Sequence, residues 1–472
     1  MLFYSLILTF YLLFIWLTFR NIRYGLYLIL LFLPSYQLRY QIFGTPATLL
    51  EGMIWLLFII WLIKFKKQKR LTFNLIKIIK NIFGLRFSIF GQENIIPRAF
   101  QLPIILFLTA ATISVFTSPN LQAALGIWKA YFIEALLFFI IFVYNITTLE
   151  HVKHTIRTLG VLTIMIGLFA IYQKLTGALI PNLFWTEDAT RRVTTFFGYP
   201  NANVLLLVPI VFLTIGNFLT DKKVIFKSFN LLVIILSIST IIWTKSAGAL
   251  VAVITGVICF LTFYKKTRLA TLLIIAVASL ALLFSPLVIN KIQNTFISIN
   301  EVHLPYQPTD LQIRIQQWRE TVAMLKDTPI FGAGLAGYQT LIAPYHVNKH
   351  IEIFLYPHNF FLNFLTETGP LGLIAIIWIL AVFFYIGYRL LVIDNANQQT
   401  LDTGYMIRDT GYKKTLTLSV ICAMIALLVH GLVDVPYFKN DLSILFWVIV
   451  GLMVTIINTK SETLNSKLGF RI

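Results

Sequence analysis

The stretch LYPHNFFLNFLTETGPLGLIAIIWILAVFFYIGY, residues 355–388, joins a short polar-striped segment to a long apolar run. Pro357 and Asn359 suit a helix start, since proline is tolerated in a first turn and an asparagine side chain accepts an amide hydrogen left unpaired there. Gly369 and Pro370 then stop that helix. Between these signals Asn359, Asn363 and Glu367 recur at four-residue spacing, one polar stripe on a helix whose other faces carry Phe360, Phe361, Leu362, Phe364 and Leu365. His358 stands at the head of the stripe. After Pro370 the run GLIAIIWILAVFFYIGY has no charge and is long enough to cross a hydrocarbon core of roughly 30 Å. The histidine therefore lies near one membrane surface. Two readings of it stay open at this point. His358 and Asn359 either cap an interfacial helix, or belong with Glu367 to a polar cavity, because an acid near the membrane boundary is costly unless hydrated or partnered.

Working outward, the rest of the chain has the same apolar character. Of 472 residues 58% are hydrophobic and 15% aromatic, with a mean hydropathy of +0.82, more apolar surface than a soluble protein covers. Spans are expected near 2–19, 24–38, 46–63, 102–118, 125–145, 158–176, 201–219, 228–244, 247–264, 269–288, 370–388, 416–433 and 441–458. The fold class is thus all-α, a polytopic integral membrane protein with about 12–13 transmembrane helices and a large outer-face helical loop. Four regions follow: spans and a basic amphipathic loop in 1–100, a membrane core in 101–288, an outer loop in 289–369, and the last spans with a tail in 370–472. The opening run lacks a basic start and a cleavage site, so it reads as the first span. Cys259 and Cys422 fall inside spans and suggest neither a disulfide framework nor a metal motif.

Charge sets the orientation. Helix alternation sorts the loops into two sets; acids and bases balance in one, and the whole formal charge of +19 falls on the other. The positive-inside rule assigns that basic set to the cytoplasm, so His358 faces outward. The basic run KFKKQKRLTFNLIKIIKNIFGLRF after the third span reads as an amphipathic helix on anionic lipid and calls for no nucleic acid. Glu51, Lys129 and Glu134 sit within spans, where mutual neutralisation and function are equally good readings.

On the outer side the loop 176–200 holds TEDATRRVTTFFGYPNANV, with Arg191 and Arg192 ahead of an apolar turn that returns the chain to the bilayer. Arginine's planar fork suits a phosphate or diphosphate. In the outer segment, DLQIRIQQWRETVAMLKD (310–327) reads as a helix with an apolar face of Leu311, Ile315, Trp318, Val322 and Leu325. Arg314 borders that face and Arg319 points away from it, which makes Arg314 the constrained arginine or a cover for Trp318. Near the C-terminus His430 and Asp434 stand one helical turn apart, a hydrogen-bonded pair by that spacing.

These outer residues resemble the O-antigen ligase and polymerase superfamily. RVTTFFGYPN from Arg192, RIQQW followed by PIFGAGLAGY, and HNFFLNFLTETGPLG carry the resemblance, in order, over most of the chain from about residue 100. One departure is Ser246-Ala247-Gly248, where members of the family often have Ser-Arg-Gly; Lys245 is a candidate replacement.

The resemblance implies a glycosyltransferase of a bacterial inner membrane, its active site facing the periplasm or cell exterior. An undecaprenyl-diphosphate-linked glycan would be the donor and a lipid, glycan or protein hydroxyl the acceptor. His358 would be the general base, and Arg192 and Arg314 would hold the diphosphate. Arg191, Asn359, Glu367 and Asp434 are further candidates for positioning, and neither metal nor cofactor is implied. Ligase and polymerase both fit. Rival readings are a transporter, which would more often show internal repeats and broken midplane helices, and a non-catalytic envelope scaffold.

Overall fold

The computed structural model describes residues 2–42, 44–69, 96–264, 267–273, 309–392 and 404–459. Its first helices are α1 (Leu2–Arg20) and α2 (Ile22–Leu31), the latter capped by Asn21, whose side chain accepts from the Arg23 amide. The expected span over 24–38 is not there. α2 ends after ten residues, because Pro34 enters a short 3₁₀ turn and supplies no amide hydrogen to continue the helix. An unexpected antiparallel hairpin follows, β1 (Arg39–Ile42) on β2 (Thr45–Thr48), leading into α3 (Leu49–Lys69).

The bundle continues with α4 (Arg98–Phe116), α5 (Leu121–Asn145), α6 (Leu149–Thr176), α7 (Pro200–Thr220), α8 (Val224–Trp243) and α9 (Ala247–Phe263). After the outer helix α10 (Asp310–Asp327) and the short α11 (Tyr338–Ile342) come α12 (Phe360–Val392), α13 (Gly404–Gly431) and α14 (Asn440–Asn458). Among the described residues nine helices are long and apolar enough to cross a membrane, and α2 and α9 are shorter apolar helices. The chain is therefore an all-α polytopic membrane protein. The expected span 269–288 and the basic amphipathic loop lie almost wholly outside the described residues.

Which helices are central follows from their faces. α14 is apolar all round and buried from Asp441 to Ile456, as a helix enclosed by others must be. α7 and α13 pack together, α9 lies against α13, α12 against α4, and α14 against α5. Small residues allow these approaches: a Cβ on Gly451 of α14 would come within 2.7 Å of the Phe142 ring in α5. In α5, residues Trp128–Ile133 form a π-helical turn. Near it Lys129 pairs with Glu51, and the Trp55 indole donates to Glu134 at 2.9 Å, so the buried Glu51 and Glu134 each have a partner within the bundle.

α12 is broken where the sequence predicts a stop. Gly369 has φ 63° and ψ −175°, after which the helix resumes. Only glycine takes that conformation cheaply, and a Cβ there would meet the Ile330 carbonyl at 2.7 Å.

Candidate active site

α10 begins at Thr309, which forms a reciprocal capping box with Gln312, and ends at Asp327. Its inward face differs from the expected apolar one. Leu311 and Val322 are 44% and 48% exposed, whereas Gln316, Gln317, Glu320, Thr321 and Met324 are buried. The reason is that α10 packs on polar loop rather than on the hydrocarbon-facing bundle. Glu320 accepts from His346 Nδ1 at 3.0 Å, from the Val347 amide and from Gln316.

This polar face holds the segment that leads into His358. Gln317 donates to the Tyr356 carbonyl at 2.6 Å and Trp318 Nε1 to the Pro357 carbonyl at 2.8 Å. His358 itself has φ 45°, a left-handed conformation uncommon for a non-glycine residue. Asn359 fixes the next step: its Oδ1 accepts from the Leu362 amide at 2.9 Å, capping α12, and its Nδ2 donates to the Leu432 carbonyl at 2.9 Å. The Tyr356 hydroxyl donates to the Phe438 carbonyl at 2.9 Å, a second tie to the loop between α13 and α14.

That loop carries Asp434, and here the pairing read from spacing is corrected. α13 stops at Gly431, so Asp434 is not a turn along the helix from His430; its carboxylate instead approaches His358 Nδ1 at 3.5 Å. His430 is 2% exposed, has no hydrogen bond at Nδ1 among the described residues, and packs beside Gly248. Burial raises the Asp434 pKa, but the His358 ring, then His430 and Arg314, outweigh it and hold the carboxyl below the usual carboxylate range. The His358 side chain remains 25% exposed, and the Phe354 ring stands edge-on to it at 5.1 Å.

Arg192 donates through Nε to the Thr244 carbonyl at 2.7 Å, reaches Asn201 Oδ1 at 3.4 Å and lies over the Trp185 ring. Burial lowers its pKa, opposed by Asp310 and reinforced by Arg314, which puts the two arginines within electrostatic reach of each other. Arg314, half-buried, has no hydrogen bond or ion pair among the described residues and is also felt at Asp434. Arg192, Arg314, His358 and Asp434 thus gather at one end of the bundle. They leave a guanidinium with open donors near an imidazole backed by a carboxylate.

Other candidates lie elsewhere. Arg191 is engaged with the Thr186 and Lys174 carbonyls and with Asp188 at 2.6 Å, so it braces its own loop. Glu367 accepts from the Ala336 amide at 2.7 Å and is 1% exposed. About two helical turns below Asn359, roughly 12 Å along the axis, it is too far to touch His358. Lys245 donates to the Ala189 carbonyl at 2.8 Å, which ties it to the loop that carries Arg192. One residue was not singled out from the sequence: Lys439, whose ammonium lies over the Tyr36 and Phe197 rings at 5.3 and 5.1 Å. Only folding brings those rings together, so no local signal points to it.

No curated protein matches the chain. A family described as O-antigen ligase does match, over residues 232–377, from within α8 through α10 and His358 to the first half of α12. Residues 232–377 of this multi-pass membrane protein are thus similar to the O-antigen ligase family, which supports a place in the ligase and polymerase superfamily.

Proposed function

We propose that the protein transfers a glycan from an undecaprenyl-diphosphate carrier to an acceptor hydroxyl on the outer face of a bacterial inner membrane, without a metal ion. The acceptor oxygen attacks the anomeric carbon, the bond to the diphosphate oxygen breaks, and its electron pair leaves with the lipid diphosphate. His358 takes the hydroxyl proton. With Asp434 beside Nδ1, Nε2 is the nitrogen left to accept it, and the carboxylate stabilises the imidazolium that forms. Arg192 and Arg314 offset the negative charge that gathers on the leaving group.

The observation that carries this reading is the approach of Asp434 to His358 beside an arginine whose donors are open. A cap alone would not need a buried carboxylate at its ring. Ligase and polymerase differ only in the acceptor, and both use this chemistry.

The test is transfer of a labelled glycan from undecaprenyl diphosphate by the purified chain in lipid vesicles, with chelator present, across lipid, glycan, protein and lipid-linked-repeat acceptors. We expect transfer by the wild type and none by His358→Ala, with donor binding retained. Donor binding without transfer to any acceptor sinks the enzyme reading, and equal transfer by the variant removes His358 from the chemistry.

A further inference from the structure

Lys439 closes the loop that carries Asp434 and immediately precedes α14. Its ammonium is held between Tyr36, from the turn after α2, and Phe197, from the loop that carries Arg192. Three separate parts of the chain therefore converge on one cation. Lys439 is half-buried, and among the described residues its ammonium makes no hydrogen bond or ion pair. Two acids are near without engaging it. Asp434 is turned to His358, and Asp441, fully buried, makes no ion pair among the described residues. Burial lowers the Lys439 pKa while Asp441 and Asp434 oppose that change. A cation fixed by two rings, with its donors unfilled, is preorganised for an anion.

Its side of the site follows from the contacts of its loop. Lys439 ends the loop in which Asp434 approaches His358, and Tyr356, two residues before His358, donates to the Phe438 carbonyl beside it, whereas Arg192 is tied to the Thr244 carbonyl and to Asn201. In a direct displacement the attacking hydroxyl and its base lie opposite the leaving diphosphate. The arginines belong with the leaving group, and Lys439, through its loop, with the base.

We propose that Lys439 anchors an anionic group, a phosphate or a carboxylate, on the acceptor substrate. This rests on the glycosyl-transfer reading above and adds to it the chemistry of the acceptor: a hydroxyl compound with an acidic group near the attacked position. Lys439 is then a binding residue, and its removal changes acceptor affinity rather than the chemical step.

The test uses the full chain in phosphatidylcholine vesicles with the labelled donor and matched acceptors that differ by one phosphate or carboxylate. The wild type shows the lower KM for the acidic acceptor. Lys439→Met raises that KM roughly ten- to hundredfold, and Lys439→Arg restores part of it. The KM values of donor and neutral acceptor stay within about twofold. Equal changes for both acceptors, a raised donor KM, or recovery of Lys439→Met by an added Asp441→Asn would overturn the proposal, the last by showing mere charge neutralisation. Inhibition by phosphatidylglycerol that vanishes in Lys439→Met would reassign the site to a lipid headgroup and overturn the acceptor assignment. Amine acylation read by mass spectrometry probes the site without turnover: glucose 6-phosphate, and not glucose, protects Lys439 in both wild type and His358→Ala. No protection overturns the proposal; protection in a protein that transfers nothing leaves the anion site standing while the glycosyl-transfer reading falls.

Discussion

His358 occupies a left-handed backbone conformation that costs on the order of 1–3 kcal/mol and persists only where its surroundings over-determine it. The surroundings are Gln317 and Trp318 on the preceding carbonyls and Asn359 on the following turn. Removing one clamp should therefore misplace the ring without unfolding the bundle. Trp318→Phe leaves the Pro357 carbonyl unpaired, and we expect kcat to fall about tenfold with donor binding retained, read by single-turnover transfer and lipid binding. Asp434→Asn should lower kcat by roughly 10²- to 10⁴-fold. Its pH dependence carries a sign. Because the Asp434 pKa is held below the usual range, its contribution to stability is present above the unfolded value of about 3.9 and is lost as pH falls through the lower folded value. Asp434 stays charged at neutral pH, so the acid limb of a wild-type rate profile reports another group.

At the scale of elements, the glycine turn FGAGLAGY is the joint between outer helix and bundle. The Ala333 amide donates to the Thr366 carbonyl at 2.6 Å, Leu335 donates to the Ser114 carbonyl, and Ala336 to Glu367. The turn is thereby clamped between the end of α4 and the break in α12. A Cβ on Gly332, where φ is 65°, would clash with the Thr366 carbonyl oxygen. Gly332→Ala should cost about 1–3 kcal/mol, visible as a lower Tm in detergent, with loss of transfer as His358 shifts. Gly126→Ala, inside α5 with nothing within 4 Å of its Cβ, should raise stability slightly or leave it unchanged. Glu367 belongs to this joint, so Glu367→Gln should act on Tm more than on the acid limb of the rate profile.

At the scale of the whole molecule, α7 runs from the arginine loop to Lys222, so Asp188 and Lys222 mark opposite ends of the bundle. Both are exposed. With the positive-inside orientation, Asp188→Cys should react with a membrane-impermeant thiol reagent in intact cells and Lys222→Cys only after permeabilisation. The reverse pattern would put the site on the cytoplasmic side and end the reading of an outward-facing transferase. The cation on Lys439 is a property of this scale too, since its rings come from the first and the second quarter of the chain.

What the sequence determined by itself is whatever depends on local pattern and bulk composition. Apolar runs fixed the membrane class, the apolar periodicity of 310–327 marked α10, and the start at Asn359 and stop at Gly369 marked the first part of α12, because periodicity and end signals act within a turn or two. The convergence of Arg192, Arg314 and His358 was legible only through the resemblance, as their spacing in the chain says nothing about distance. Tertiary structure alone decided the partners. Asp434 turned to His358 rather than His430 because α13 stops at Gly431 and the loop folds back over the head of α12. The buried face of α10 proved polar because it meets loop carbonyls and a carboxylate, whose demand for hydrogen bonds outweighs the apolar periodicity of the helix. Lys439 became a candidate only when two distant rings met around it, a contact that no window of sequence contains.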